Sequence, residues 1–279
     1  MPLLRGTGAR RGAQDENLAT EVGCRGCRAL IWLALTATVA LWWLLTGIAL
    51  MCVHQPPTAR KWLLGVATMV AGASFWILPE TAAAHSVSSV LVGFLLALLI
   101  WGWLELVYLM GYITGPNKRQ APGGAAAGKR FVLALATIIY HEMLALTVIV
   151  LAFLQVGLEG DSLVTPLVLS VLWIMRCSTK LNLFFGVRHF NENWLPESLS
   201  YVTSFIVVGK NSALIAPTTF LAALLAATLF FAGLNASSQT AELTLYLLAW
   251  LSTLAVLEHF FLMYPLGERA LWRWAVKMD

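Results

Sequence analysis

From Ala29 to Val53 the chain runs for 25 residues without a charged side chain. At ~1.5 Å per residue such a run spans the ~30 Å hydrocarbon core of a bilayer as a helix. In that environment every backbone N–H and C=O must be paired within the protein, which leaves helices and closed barrels as the spanning structures. The run is too long and begins too late for an ordinary cleaved signal peptide. Further apolar runs follow at about 62–78, 84–113, 131–158, 162–185, 212–235 and 243–266, making seven with the first. The second is the shortest. We therefore expect an all-α integral membrane protein, a bundle of seven transmembrane helices over residues 29–279, preceded by a disordered tail over residues 1–28. Composition agrees: 11% of the residues are charged and mean hydropathy is +0.77, against about 25% charged residues in soluble domains.

Lysines and arginines give an orientation, because cytoplasmic connections are enriched in them. The connections after spans one, three and five carry Arg60 and Lys61; Lys118, Arg119, Lys129 and Arg130; and Arg188 and Lys210. Those after spans two, four and six carry none, and the C-terminus carries Arg269, Arg273 and Lys277. The alternation predicts a cytoplasmic C-terminus and an external N-terminus. The five arginines of the tail oppose it. The net charge of +4 is spread over tails and loops, so it reads as an orientation signal and not as a nucleic-acid surface. The final stretch, PLGERALWRWAVKMD, alternates aromatic and basic residues and suits an interfacial helix with Trp272 and Trp274 at headgroup depth.

Ionisable groups inside the apolar runs are the candidate site. Glu105, His141, Glu142, Arg176, Lys180, Glu258 and His259 fall on spans three, four, five and seven, at similar depth in the cytoplasmic half. A lipid-facing charge there costs about 2.5–3.5 kcal/mol on insertion scales, so the groups are expected to face inward and to pair. Two readings stand beside each other. In one the layer is a ligand or pigment site, with His141 or His259 as an axial or metal ligand oriented by a neighbouring carboxylate. In the other it is a hydrogen-bonded clamp, because adjacent His-Glu residues point to different faces of a helix. His141-Glu142 is not the zinc motif H-E-x-x-H, since position 145 is Ala. Cys24 and Cys27 form a lone CxxC without the second pair of ligands that a structural zinc needs. No Ser-His-Asp, Walker or dinucleotide-binding pattern is present, and Gly115–Gly128 (GPNKRQAPGGAAAG) reads as a flexible linker.

The central stretch from Trp173 to Phe205 joins membrane helix to polar loop. Arg176 and Lys180 share a helical face, and Pro196 with the Asn/Glu cluster stops the helix. Lys180, Asn182, Arg188, Asn191, Glu192 and Trp194 mix exposed donors with an aromatic anchor, as expected of a docking surface.

WWLLTG (42–47), WGWLELVYLMGYITGP (101–116), RFVLALATIIYHE (130–142), WIMRCSTKLNLFFGVRHFNENWLPESLSYVTSF (173–205) and LEHFFLMYPLGERALWRW (257–274) together resemble the PuhE family of photosynthetic complex assembly proteins. The similarity runs in order from about Leu41 to Trp274 and leaves the first 28 residues uncovered. The resemblance implies a factor without turnover that helps build the bacterial reaction centre and light-harvesting apparatus, or sustains bacteriochlorophyll supply to it. Its partners would be the lipid bilayer, reaction-centre or light-harvesting subunits, and bacteriochlorophyll or a precursor. It carries over no catalytic residues. The alternatives are a membrane enzyme of tetrapyrrole metabolism working through the His141/Glu142 and Glu258/His259 layer, and a proton-coupled transporter.

Overall fold

A computed structural model of the chain describes residues 7–157, 162–190, 195–266 and 268–275, with side chains over 28–157, 162–190, 195–266 and 270–275. Among the described residues nine α-helices follow in order: α1 Thr7–Val53, α2 Pro57–Ala83, α3 Val87–Leu109, α4 Ala127–Leu135, α5 Ile139–Val156, α6 Val164–Phe185, α7 Ser200–Thr203, α8 Ile215–Leu234 and α9 Gln239–Met263. Seven segments are long and apolar enough to cross a membrane: Arg28–Val53 of α1, and all of α2, α3, α5, α6, α8 and α9. The protein is thus an all-α membrane protein with seven spans, and among the described residues extended pairing is confined to one parallel bridge, Val187 with Val208. The backbone of residues 7–27 continues α1, so the expectation of a separate tail rests on composition alone.

The helix starts follow from local chemistry. Ser86 opens α3 with a capping box, its hydroxyl accepting from the Ser89 N–H (3.1 Å) while the Ser89 hydroxyl accepts from the Ser86 N–H (3.2 Å). Ser238 caps α9 through a single bond, its hydroxyl accepting from the Ala241 N–H. Pro57 sits in the first turn of α2, where its missing N–H is not needed. Along the spans, Thr68, Thr147 and Thr228 donate their hydroxyls to carbonyls four residues back, each at 2.8 Å, and so present no unpaired polar atom to lipid.

Burial decides which helices are central. Within the most apolar window of each span, 61% of α3 and 50% of α9 is buried inside the protein, against 17% for α2 and α8. Val90, Phe94, Ala97, Ile100 and Leu104 of α3 pack with Leu243, Tyr246, Leu247 and Leu251 of α9, Val168 and Leu169 of α6, and Ala145 and Ala152 of α5. Exposed Trp62, Met69 and Trp76 of α2 and Phe220, Leu221 and Phe231 of α8 form outward apolar faces, the expected finish for a lipid-facing helix.

Two sequence expectations are corrected. The third and fourth spans do not run unbroken over 84–113 and 131–158: α3 stops at Leu109, and the fourth span is split at 136–138 into α4 and α5. Substitute partners for the interrupted helical ladder come from the Thr114–Asn117 segment. The Asn117 N–H and side-chain amide donate to the carbonyls of Ala136 and Leu133, both at 3.0 Å, and the His141 N–H donates to the Thr114 carbonyl at 3.0 Å. Gly115 permits this approach, because a Cβ there would lie 2.1 Å from the Ala136 oxygen. Irregular backbone within a span is tolerated where protein satisfies it in this way. Secondly, although a short C-terminal helix is present, as the 3-10 turn Glu268–Trp272, its Trp272 is only 2% exposed instead of reaching outward. Its indole packs edge-on to Trp42 (5.2 Å) and donates to the Trp43 carbonyl (3.1 Å), while the Trp43 indole donates to the Leu271 carbonyl (2.7 Å). The C-terminal strap is thereby fastened to α1.

Candidate functional site, an ion-paired cavity in the bundle

The sequence of α6 places Trp173, Arg176, Cys177 and Lys180 at spacings of three and four, so they form one stripe along the helix. Part of that stripe meets α3 and part meets α5. Arg176 grips Glu105 with a two-pronged bridge, Nε to Oε1 and Nη2 to Oε2, each 2.9 Å. Lys180 Nζ donates to Glu142 Oε1 at 2.5 Å and lies 5.1 Å from the centre of the Tyr108 ring. The other Glu142 oxygen accepts from the Trp173 indole (2.9 Å) and the Cys177 thiol (3.5 Å). Charges withdrawn from water are stable only when paired and hydrogen bonded, and both cations and two of the three carboxylates meet that condition. Glu258 lies near enough to Arg176 for their charges to interact, and it shares the cavity wall with Trp42.

The two His-Glu pairs split across helix faces, as the ~100° step between neighbours on a 3.6-residue helix requires. Glu142 turns to α6, whereas His141 turns to α3, where its ring lies 4.8 Å from that of Tyr108. His141 is 1% exposed, and its Nδ1 has no partner among the described residues. His259 is fully buried, with Nδ1 at 2.7 Å from the Ala255 carbonyl and Nε2 at 2.9 Å from the Ser178 hydroxyl. A carbonyl can only accept, so Nδ1 carries the proton and Nε2 accepts from Ser178. Both nitrogens are committed, which removes His259 as a metal or pigment ligand.

Beside the ion pairs lies a cavity of about 580 Å³, at the end of the bundle where α1, α3, α6 and α9 finish and α5 begins. Glu105, Glu142, Arg176, Lys180 and Glu258 stand on its wall. The rest is largely apolar and aromatic, with Trp42, Trp101, Phe184, Phe205, Phe261 and Trp272 among the lining side chains. Neither His141 nor His259 reaches it, and the lining histidine is His189. His189 follows Gly186, where φ is +134° and a Cβ would lie 2.6 Å from the Lys210 carbonyl, so glycine is required for the chain to turn off α6. The backbone N–H of His189 then donates to the Leu262 carbonyl (3.0 Å).

All seven sequence-proposed residues of the polar layer thus gather around the ends of four helices, five of them on the cavity wall. Of the docking stretch, the described residues do not share one surface. Asn182 is fully buried, its amide donating to the Ser178 carbonyl (3.0 Å) and the Thr218 hydroxyl (2.9 Å), so it is no surface donor. Lys180 is spent on Glu142, Arg188 is exposed, and Asn191, Glu192 and Trp194 lie outside the described residues. Sequence reasoning overlooked His189, Trp42 and Trp272. For His189 a signal existed, a Gly just past a helix followed by His on a tethered turn. The two tryptophans had none, since their meeting bridges 230 residues of sequence (272 − 42). Among the described residues no group of three or more His, Cys, Asp or Glu is placed to hold a metal ion.

Aromatic-walled and sized within the ~300–1,000 Å³ of small-molecule sites, the cavity lies beside paired charges inside the bundle of a polytopic membrane protein. The chain belongs to the family described as "Protein of unknown function (DUF3623)", whose model matches residues 29–279. It is 28% identical over 249 residues to the "Uncharacterized 30.4 kDa protein in puhA 5'region" of Rhodobacter capsulatus, covering 87% of this chain and 90% of that one. That relative and the PuhE-type motifs agree on a puh-region family. No solved structure matches the chain.

Proposed function

We propose that this protein is an assembly factor of the bacterial photosynthetic apparatus that works without turnover, holding an apolar ligand such as a pigment within the bundle. The carrying observation is the cavity itself, where both cations are bound to the carboxylates of Glu105 and Glu142 instead of being poised over an open reaction site. A similar protein encoded in a puhA 5' region and the resemblance to the PuhE family support the photosynthetic setting. The enzyme reading is weakened because its His259 is consumed by Ala255 and Ser178 and its Glu142 by Lys180, Trp173 and Cys177. We further place residues 29–279 as one membrane domain with residues 1–28 as a dispensable tail, in the cytoplasmic or intracytoplasmic membrane, N-terminus out and C-terminus in. The test is gentle solubilisation of tagged protein from phototrophic membranes. Co-purification of reaction-centre or light-harvesting subunits is expected. Their absence, together with normal levels of photosynthetic complexes in a deletion strain, would overturn the reading.

A further inference from the structure

We propose that the cavity binds a flat metallotetrapyrrole with an open axial position, and that His189 supplies the axial imidazole. This rests on the pigment-holding reading and names the class of ligand and the ligating atom's residue. Flat conjugated rings are recognised by aromatic faces and edges, and the wall offers Trp42, Trp101, Phe184, Phe205, Phe261 and Trp272. A flexible lipid tail has no use for such a concentration of rings.

An imidazole is a common axial ligand to a tetrapyrrole metal. The chain has five histidines, at 54, 85, 141, 189 and 259, and among the described residues His189 is the one on the cavity wall. His259 has both nitrogens occupied, and His141 lies tilted against the Tyr108 ring and is not on the cavity wall. The turn that delivers His189 is anchored through backbone: the Val187 N–H donates to the Val207 carbonyl (2.9 Å), the Gly209 N–H to the Val187 carbonyl (2.9 Å), and the His189 N–H to the Leu262 carbonyl. None of these anchors engages the imidazole. A metal ligand held on a pre-organised backbone loses little freedom on binding.

The experiment uses full-length purified protein in detergent, titrated with zinc protoporphyrin IX and, in parallel, with metal-free protoporphyrin IX, with empty micelles as background. The wild type is expected to bind the zinc compound at least about tenfold more tightly than the metal-free one, a difference of ~1.4 kcal/mol. Its Soret band should move to the red as the fifth ligand is taken up. In His189→Gly the shift and the preference for zinc should vanish while binding of the metal-free ring persists, and added imidazole should restore the shift. His141→Ala should keep it. Equal binding of the two porphyrins by the wild type, or an unchanged shift in His189→Gly, would overturn the proposal. Because the metal-free ring reports an intact cavity, a misfolded variant is recognised by its failure to bind either. The assembly reading is judged separately by co-purification, so its failure and the failure of axial ligation give different results.

Discussion

At the scale of single residues, the Glu105–Arg176 bridge shows why the apolar spans tolerate charge at all. Either partner alone would leave a buried, uncompensated ion, whereas the pair satisfies two guanidinium N–H groups and both carboxylate oxygens at once. Arg176→Leu should therefore lower stability by about 3 kcal/mol, the low end for breaking a buried pair, because the Arg176 side chain keeps 34% of its exposure. The double change Arg176→Leu with Glu105→Leu should recover much of that loss, since neither charge remains unpaired. Steady-state amount in the membrane, read by immunoblot for the two single variants and the double, checks this. A double variant as scarce as Arg176→Leu would show that the bridge is not what the arginine supports.

At the scale of elements, the split fourth span and the C-terminal strap both use long-range backbone contacts to shape the cavity. Gly115→Ala should force the Thr114–Asn117 segment away from α4, because the carbonyl it would strike belongs to backbone and not to a flexible side chain. An overpacking cost of about 1–3 kcal/mol follows, measurable as an earlier thermal transition in detergent, while Gly123→Ala in the same loop, where a Cβ meets nothing within 4 Å, should be silent. Trp272→Ala removes a buried indole that lines the cavity and holds α1, at a cost of about 3–5 kcal/mol. It should also leave the strap open to proteolysis between Met263 and the C-terminus. A strap as resistant as in the wild type would mean that other contacts hold it.

At the scale of the whole molecule, the charged groups gather at one end of the bundle because alternate helices bring their C-terminal turns to the same side. The orientation proposed from lysines and arginines makes that side cytoplasmic. Reporter fusions after Gly160 and after Asp279 should then report opposite sides of the membrane, the first external and the second cytoplasmic. Both on one side would require an even number of spans between those points and would sink the arrangement. Deleting residues 1–20 should leave insertion and complementation intact, because their composition cannot bury a core.

Hydropathy alone determined the number and order of the spans, since a bilayer rewards about twenty apolar residues whatever their neighbours do. The cost of lone charge in lipid likewise marked Glu105, Glu142, Arg176 and Lys180 as inward-facing residues before any partner was known. Their pairing was decided only by the tertiary structure, because Glu142 can answer Arg176 or Lys180 until α5 and α6 settle into register. The break between α4 and α5 was equally hidden: LALATII holds no Gly, Pro or charge to announce it, and what interrupts the helix is a set of donors and carbonyls contributed by residues 114–117. For the same reason the histidine on the cavity wall is His189 and not the two that the apolar runs made conspicuous. A helix face is legible from local periodicity, but a cavity is closed by segments far apart in the chain, and only packing brings them together.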